Sequence, residues 1–198
     1  MAGARRGVLD GAFVLLEELA RAGEAGPSGL AEAARLPKAT AHRLLGQLAG
    51  VGAVESRSGR YRIGPRMFHV GEGWRPAAAL RAAALPPLRQ LAASIGGASV
   101  NVSVVDAGQM LIVAAVRGDA DDVVELRPGF RLSGQEFSCV SAVSSAPVVH
   151  AATGGVVACV NARVLGPGQL AGIEPLVRRA ANIVSARLAT TNPALFAW

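Results

Sequence analysis

Apolar residues recur at helical spacing near the start of the chain. Val8, Ala12, Leu15, Leu16 and Leu19 share one side, and Glu17, Glu18 and Arg21 the other. That period predicts a helix within the first 24 residues, ended by Gly23 and Gly26-Pro27. Ser28 suits the N-cap of a short second helix carrying Leu30, Ala31, Ala34 and Leu36. Pro37 suits the first turn of a third helix that runs to about Gly50. The period then shortens. Ala53-Val54-Glu55 and Arg60-Tyr61-Arg62-Ile63 are strand-like, with Ser56-Arg57-Ser58-Gly59 as the turn between them. Three helices followed by a hairpin are the plan of a winged helix-turn-helix.

Residues 69 to 93 return to helical composition, with breaks expected at Pro76 and Pro86-Pro87. Two strands follow, Ser99 to Val105 and Met110 to Val116, joined by a turn at Asp106-Ala107-Gly108-Gln109. Residues 118 to 138 are polar and contain glycine. Val140 to Val149 and Val156 to Val160 form a second strand pair around Ala152-Thr153-Gly154-Gly155. An amphipathic helix on Ile173, Leu176, Val177, Ala180, Ile183, Val184 and Leu188 closes the chain. The fold class expected is α+β, with helices and an antiparallel sheet in the second half.

Composition narrows this. At 198 residues the chain suits one large domain or two small ones, and a 51% hydrophobic content supports a buried core. Cys139 and Cys159 are too few for a disulfide framework and too isolated for a zinc site, so reduced thiols, a cytoplasmic location, and no metal or cofactor are expected. Arg5-Arg6 could open a signal peptide, but Asp10, Glu17 and Glu18 interrupt the apolar run that would have to follow. No stretch reaches the ~20 apolar residues of a membrane helix, and no membrane partner is expected. Asn101-Val102-Ser103 has the spacing of a glycosylation acceptor, which has meaning only in a secreted chain.

The net charge is +6, and every cation but Lys38 is an arginine, a balance that favours an anionic partner. Between residues 35 and 66, Arg35, Lys38, Arg43, Arg57, Arg60, Arg62 and Arg66 face only Glu55. This charge falls on the third helix and the hairpin, the elements that a winged helix sets against DNA. Winding the third helix at about 100° per residue puts Ala41, Leu44, Leu45 and Leu48 on an apolar face. Ala39, Arg43 and Gly46 stand opposite, flanked by His42 and Gln47. Arginine and glutamine make bidentate contacts to base edges. Lys38 and Thr40 at the helix start suit phosphate oxygens, and Arg57, Arg60 and Arg62 would reach the backbone or minor groove. Any one of these arginines reads equally well as a solvated surface charge. Seven in this order of elements do not.

These residues resemble the IclR-type transcriptional regulators. The likeness rests on Val8-Leu9-Asp10-Gly11-Ala12, on Leu36-Pro37-Lys38-Ala39-Thr40-Ala41-His42-Arg43-Leu44-Leu45, and on Gly59-Arg60-Tyr61-Arg62-Ile63-Gly64-Pro65-Arg66. It continues through Leu85-Pro86-Pro87-Leu88, the Ser99 to Val116 hairpin, Gly134-Gln135-Glu136-Phe137, Ala146-Pro147-Val148 and the closing helix. It implies a winged helix-turn-helix over residues 1–67, a linker helix used in dimerisation over 68–84, and a GAF-like α/β effector domain over 85–198. It further implies a double-stranded DNA operator, a homodimer or dimer of dimers, a repressor role, and a small organic acid as effector. The effector pocket would lie around Cys139, Ser145, Val160 and Ala162.

The chain departs from the family pattern in three ways. Ala39 replaces a common serine, and Arg35 replaces the glycine of the turn, which places an arginine at some strain. Only Pro128 to Ser133 join segments that the family separates by several dozen residues, so the effector domain is shortened. Val160 and Ala162 stand where serines are expected, and a carboxylate ligand needs donors. Two other readings use the same residues. A cysteine hydrolase would need Cys139 or Cys159 with His150, but neither has an orienting group or oxyanion hole beside it. An effector-independent, dimerising remnant that titrates a full-length relative follows from the missing segment.

Overall fold

The computed structural model describes residues 7–118, 126–132, 142–164 and 170–197. The chain divides into two compact units after Trp74. In the first, α1 (Val8–Ala22), α2 (Pro27–Ala33) and α3 (Lys38–Gly50) surround a core of Leu15, Leu16, Leu19, Leu30, Ala41, Leu44 and Leu45. The helix expected within the first 24 residues is α1. Helix α2 begins at Pro27 with Gly26 as N-cap, two positions before the expected Ser28 cap, because proline presets the φ of a first helical residue.

The α2–α3 turn carries the strain that its sequence implied. Arg35 has φ +51°. Its N–H donates to Glu32 O and the Leu36 N–H to Ala31 O, the bond pair that closes a helix through a left-handed residue. Strand β2 (Val54–Arg57) and strand β3 (Arg60–Ile63) form the hairpin. Only Ser58 and Gly59 join them, both at positive φ, as a two-residue turn requires. A two-residue strand, β1 (Glu24–Ala25), adds to the far edge of β3 and gives the sheet order β1-β3-β2. The sequence did not show β1, since two residues are too few to display alternation. Helix α4 (Pro65–Gly71) ends the unit.

In the second unit, α5 (Arg75–Ser94) runs unbroken through Pro86 and Pro87, against the expected break there. Two interior prolines forfeit backbone bonds. The buried stripe of Leu80, Ala84, Leu88 and Leu91 spans them, however, and Pro87 is itself buried, so packing outweighs the loss. Pro76 sits at the helix start. Residues 68–84 therefore hold the end of α4 and the first half of α5, separated around Gly71 and Gly73.

Strands β4 (Ser99–Asp106) and β5 (Gln109–Val116) meet through Ala107 and Gly108, both at positive φ. Strand β6 (Arg131–Leu132) pairs with β5, and β7 (Ala142–Val149) with β8 (Val156–Val164). The antiparallel order is β6-β5-β4-β8-β7. Helices α5 and α6 (Leu170–Leu188) share a core with Val100, Val102, Val148, Val160 and Ala162. A 3₁₀ turn at Pro193–Phe196 follows. The protein is α+β, as the pattern predicted.

Candidate functional site

Helix α3 meets the N-terminal core with Ala41, Leu44 and Leu45, while Leu48 is half-buried. These are the positions that helical winding placed on the apolar side. Lys38, Ala39, His42, Arg43, Gly46 and Gln47 are exposed, and Thr40 is half-buried in the first turn. The outward face thus carries two small residues between donors and no carboxylate. No side chain caps the N-terminus of α3, which leaves its first N–H groups without a side-chain cap beside Lys38 and Thr40, at a helix end that favours anions.

The hairpin presents Arg57, Arg60 and Arg62 on one side, because Arg57 lies across from Arg60 and Glu55 across from Arg62. All three arginines are exposed. Arg60 Nε donates to Glu24 Oε1 at 2.8 Å, and its Nη2 donates to the Glu24 main-chain oxygen at 3.0 Å. Arg62 Nε donates to Glu55 Oε2 at 2.7 Å, with Nη2 also 2.7 Å from that oxygen. Arg57 makes no ion pair among the described residues. Exposed pairs of this kind contribute about 0–1 kcal/mol each, so they orient side chains more than they stabilise the fold. Arg66 Nη1 donates to Val51 O at 2.7 Å and ties α4 back to the end of α3.

The large sheet has two unlike faces. Strands alternate, so Val160 and Ala162 of β8 lie in the core with α5 and α6, fully buried. Ser145 belongs to the opposite face, across from Asn161, which in turn lies across from Asn101. The structure therefore does not bring Ser145, Val160 and Ala162 to one place. Cys139 lies outside the described residues, as do Gly134 to Phe137.

What gathers on the opposite face is a network that the sequence reading did not single out. Asn161 Nδ2 donates to Asn101 Oδ1 and to Ser103 Oγ, each at 2.9 Å. Its Oδ1 accepts from Ser145 Oγ at 2.8 Å. Ser99 and Arg163 share that face and are buried. The signal was present as two runs with polar residues at every second position, Ser99-Val100-Asn101-Val102-Ser103 and Cys159-Val160-Asn161-Ala162-Arg163, inside strands that are otherwise apolar.

Cys159 is half-buried, and burial pushes its thiol up from its ordinary pKa, the reverse of an activated nucleophile. His150 is 1% exposed. Its Nδ1 accepts from the Ala152 N–H at 3.3 Å, Nε2 lies 3.2 Å from Thr191 O, and the ring packs against Phe196. Both ring nitrogens are thereby occupied by groups other than a cysteine. Among the described residues no three His, Cys, Asp or Glu side chains form a metal-binding group, and no helix is long and apolar enough to cross a membrane.

Residues 8–58 match the family model described as the IclR helix-turn-helix domain, a span covering α1 through the start of the hairpin turn. No curated protein matches the chain in sequence. Among solved structures, the chain is similar to an IclR homologue of Microbacterium hydrocarbonoxydans complexed with 4-hydroxybenzoate. The two are 17% identical with a TM-score of 0.73, over 93% of this chain and 100% of that one. It is also similar to a putative IclR transcriptional regulator of Silicibacter sp. TM1040, at 17% identity and a TM-score of 0.66, over 97% and 100% of the two chains. The IclR protein of Thermotoga maritima matches at 15% identity and a TM-score of 0.61, over 91% and 98%. At these identities the likeness is one of fold.

Proposed function

This chain carries an IclR helix-turn-helix domain at residues 8–58 within an IclR-like fold, and we propose that it is a sequence-specific DNA-binding repressor of transcription. The observation that carries this reading is the outward face of α3. It sets His42, Arg43 and Gln47 around Ala39 and Gly46 with no acidic side chain among them. The small residues admit the helix to the major groove, where Arg43 and Gln47 read base edges. Lys38 and Thr40 meet phosphate beside the uncapped helix start, and the hairpin is the wing.

Dimerisation is supported by large apolar side chains left in solvent on the first unit: Val8, Leu9 and Phe13 on α1, and Phe68 and Val70 on α4. Exposed apolar side chains of this size mark protein interaction sites where they gather in one patch. The working form is a homodimer or a dimer of dimers in the cytoplasm. Its effector class is a small organic acid, such as the 4-hydroxybenzoate found with the Microbacterium relative. The polar face of the large sheet supplies amide and hydroxyl groups for it. One observation favours a second reading, in which no effector acts: the Asn161 amide already has protein partners at both ends.

Fluorescence anisotropy on the duplex upstream of the protein's own gene, against unrelated DNA of equal length at near-physiological salt, tests the proposal. A preference of about a thousandfold or more is expected. Equal, weak binding to both duplexes would sink it.

A further inference from the structure

The wing has a charge arrangement that a count of its arginines hides. Its outer face carries Arg57, Arg60 and Arg62, but also Glu55 and, from β1, Glu24. These carboxylates hold Arg60 and Arg62 by the Nε side of the guanidinium, the edge that would otherwise grip a phosphate sideways. Arg60 is fixed at a second point by the Glu24 carbonyl oxygen. Arg57 lies directly across from Arg60 beside the Ser58-Gly59 turn, so two like charges would repel there without Glu24.

We propose that Glu24 and Glu55 are positioning residues that withhold Arg60 and Arg62 from DNA, leaving Arg57 as the wing's phosphate contact. This rests on the DNA-binding reading above and adds which cations do the binding. The reason is electrostatic. A phosphate that approaches Arg60 or Arg62 meets, within about 3 Å of the same guanidinium, a carboxylate of its own sign. Each such pair is close to neutral as seen from the DNA, whereas Arg57 is not. The short strand β1 thereby has a purpose beyond completing the sheet: it brings Glu24, distant in sequence, to the wing.

Salt dependence measures this directly, since each phosphate neutralised adds about 0.9 to the slope of log K against log salt. The full-length protein is titrated by anisotropy onto its own upstream duplex across a series of salt concentrations. Circular dichroism melts check that each variant is folded. Arg57→Gln is expected to lower the slope by about one. Glu24→Gln and Glu55→Gln are each expected to raise it by about one and to tighten binding to all duplexes alike. Adding Arg60→Gln to Glu24→Gln should return the slope to the wild-type value. The proposal is overturned if Glu24→Gln and Glu55→Gln leave the slope of a salt-sensitive wild type where it was. It also falls if Arg60→Gln alone lowers the slope by a full unit. A wild-type protein with no salt-dependent binding would instead remove the DNA-binding reading, and this inference with it.

Discussion

In the N-terminal unit, the cations of α3 and the hairpin all stand in solvent above a core of leucine, alanine and valine. In the C-terminal unit, Asn101, Ser103 and Asn161 lie inside, bonded to one another. The contrast follows from the cost of desolvation. An exposed arginine with no carboxylate beside it, such as Arg57, keeps its hydration and its reach, which suits a long, regularly charged partner whose affinity comes from many weak contacts. A buried amide has surrendered its water and must find fixed partners. It then specifies one geometry, which suits a compact structure or a small ligand. The exposed groups are therefore expected to govern binding and the buried ones folding, and single substitutions can separate the two.

The largest expected effect is that of Leu45→Ala, at a fully buried position. Chemical denaturation should show a loss of about 3 kcal/mol, with DNA binding falling only in step with the folded fraction. Asn161→Leu should cost roughly 2 kcal/mol in the same assay, because Asn101 and Ser103, both buried, lose their shared donor. A neutral or stabilising outcome would show that the network does not hold the sheet, and would dissolve the contrast. Arg43→Ala should leave the melting curve in place while removing roughly 1–3 kcal/mol of specific binding by anisotropy; a fallen melting temperature would count against a surface role. Arg35→Gly relieves a left-handed arginine, and the gain slightly exceeds the added freedom of the unfolded chain, so a stabilisation of about 0.5 kcal/mol is expected.

The smallest effect concerns Cys159. Mass mapping after alkylation at neutral pH should find it slow to react in the folded protein and fast in denaturant. Its thiol is raised by burial, so the unfolded chain loses that proton first. The stability tied to the neutral thiol is present below the ordinary thiol pKa and declines as the pH climbs through it. Rapid native labelling would contradict the burial.

What could be read in the sequence was whatever repeats locally. The 3.6-residue spacing of Leu15, Leu16 and Leu19, and of Ala41, Leu44, Leu45 and Leu48, located α1 and the buried side of α3. The turns at Ser58-Gly59 and Ala107-Gly108 located two hairpins, and the α+β class followed. The exposed face of α3 was legible for the same reason, since one helical period fixes both sides of a helix. Long-range pairings were not legible. Nothing local to Glu24 points to Arg60, which lies 36 residues away. The faces of β8 were not legible either, because a strand that is buried on both faces hides which of its residues look which way, and Val160 and Ala162 share no side with Ser145. Pro86-Pro87 misled because proline reports its own backbone preference and not the burial that overrides it.

The Asn161 network has a consequence for how the sheet finds its alignment. Hydrophobic alternation alone cannot distinguish the native pairing of β8 with its neighbours from one shifted by two residues, since valine and alanine would still face the helices. In a shifted pairing Asn161 would no longer lie across from Asn101 and Ser145, and several buried donors would be stranded at once. The polar cluster thus proofreads strand alignment. It rejects the near-miss arrangements that an oily interior would accept.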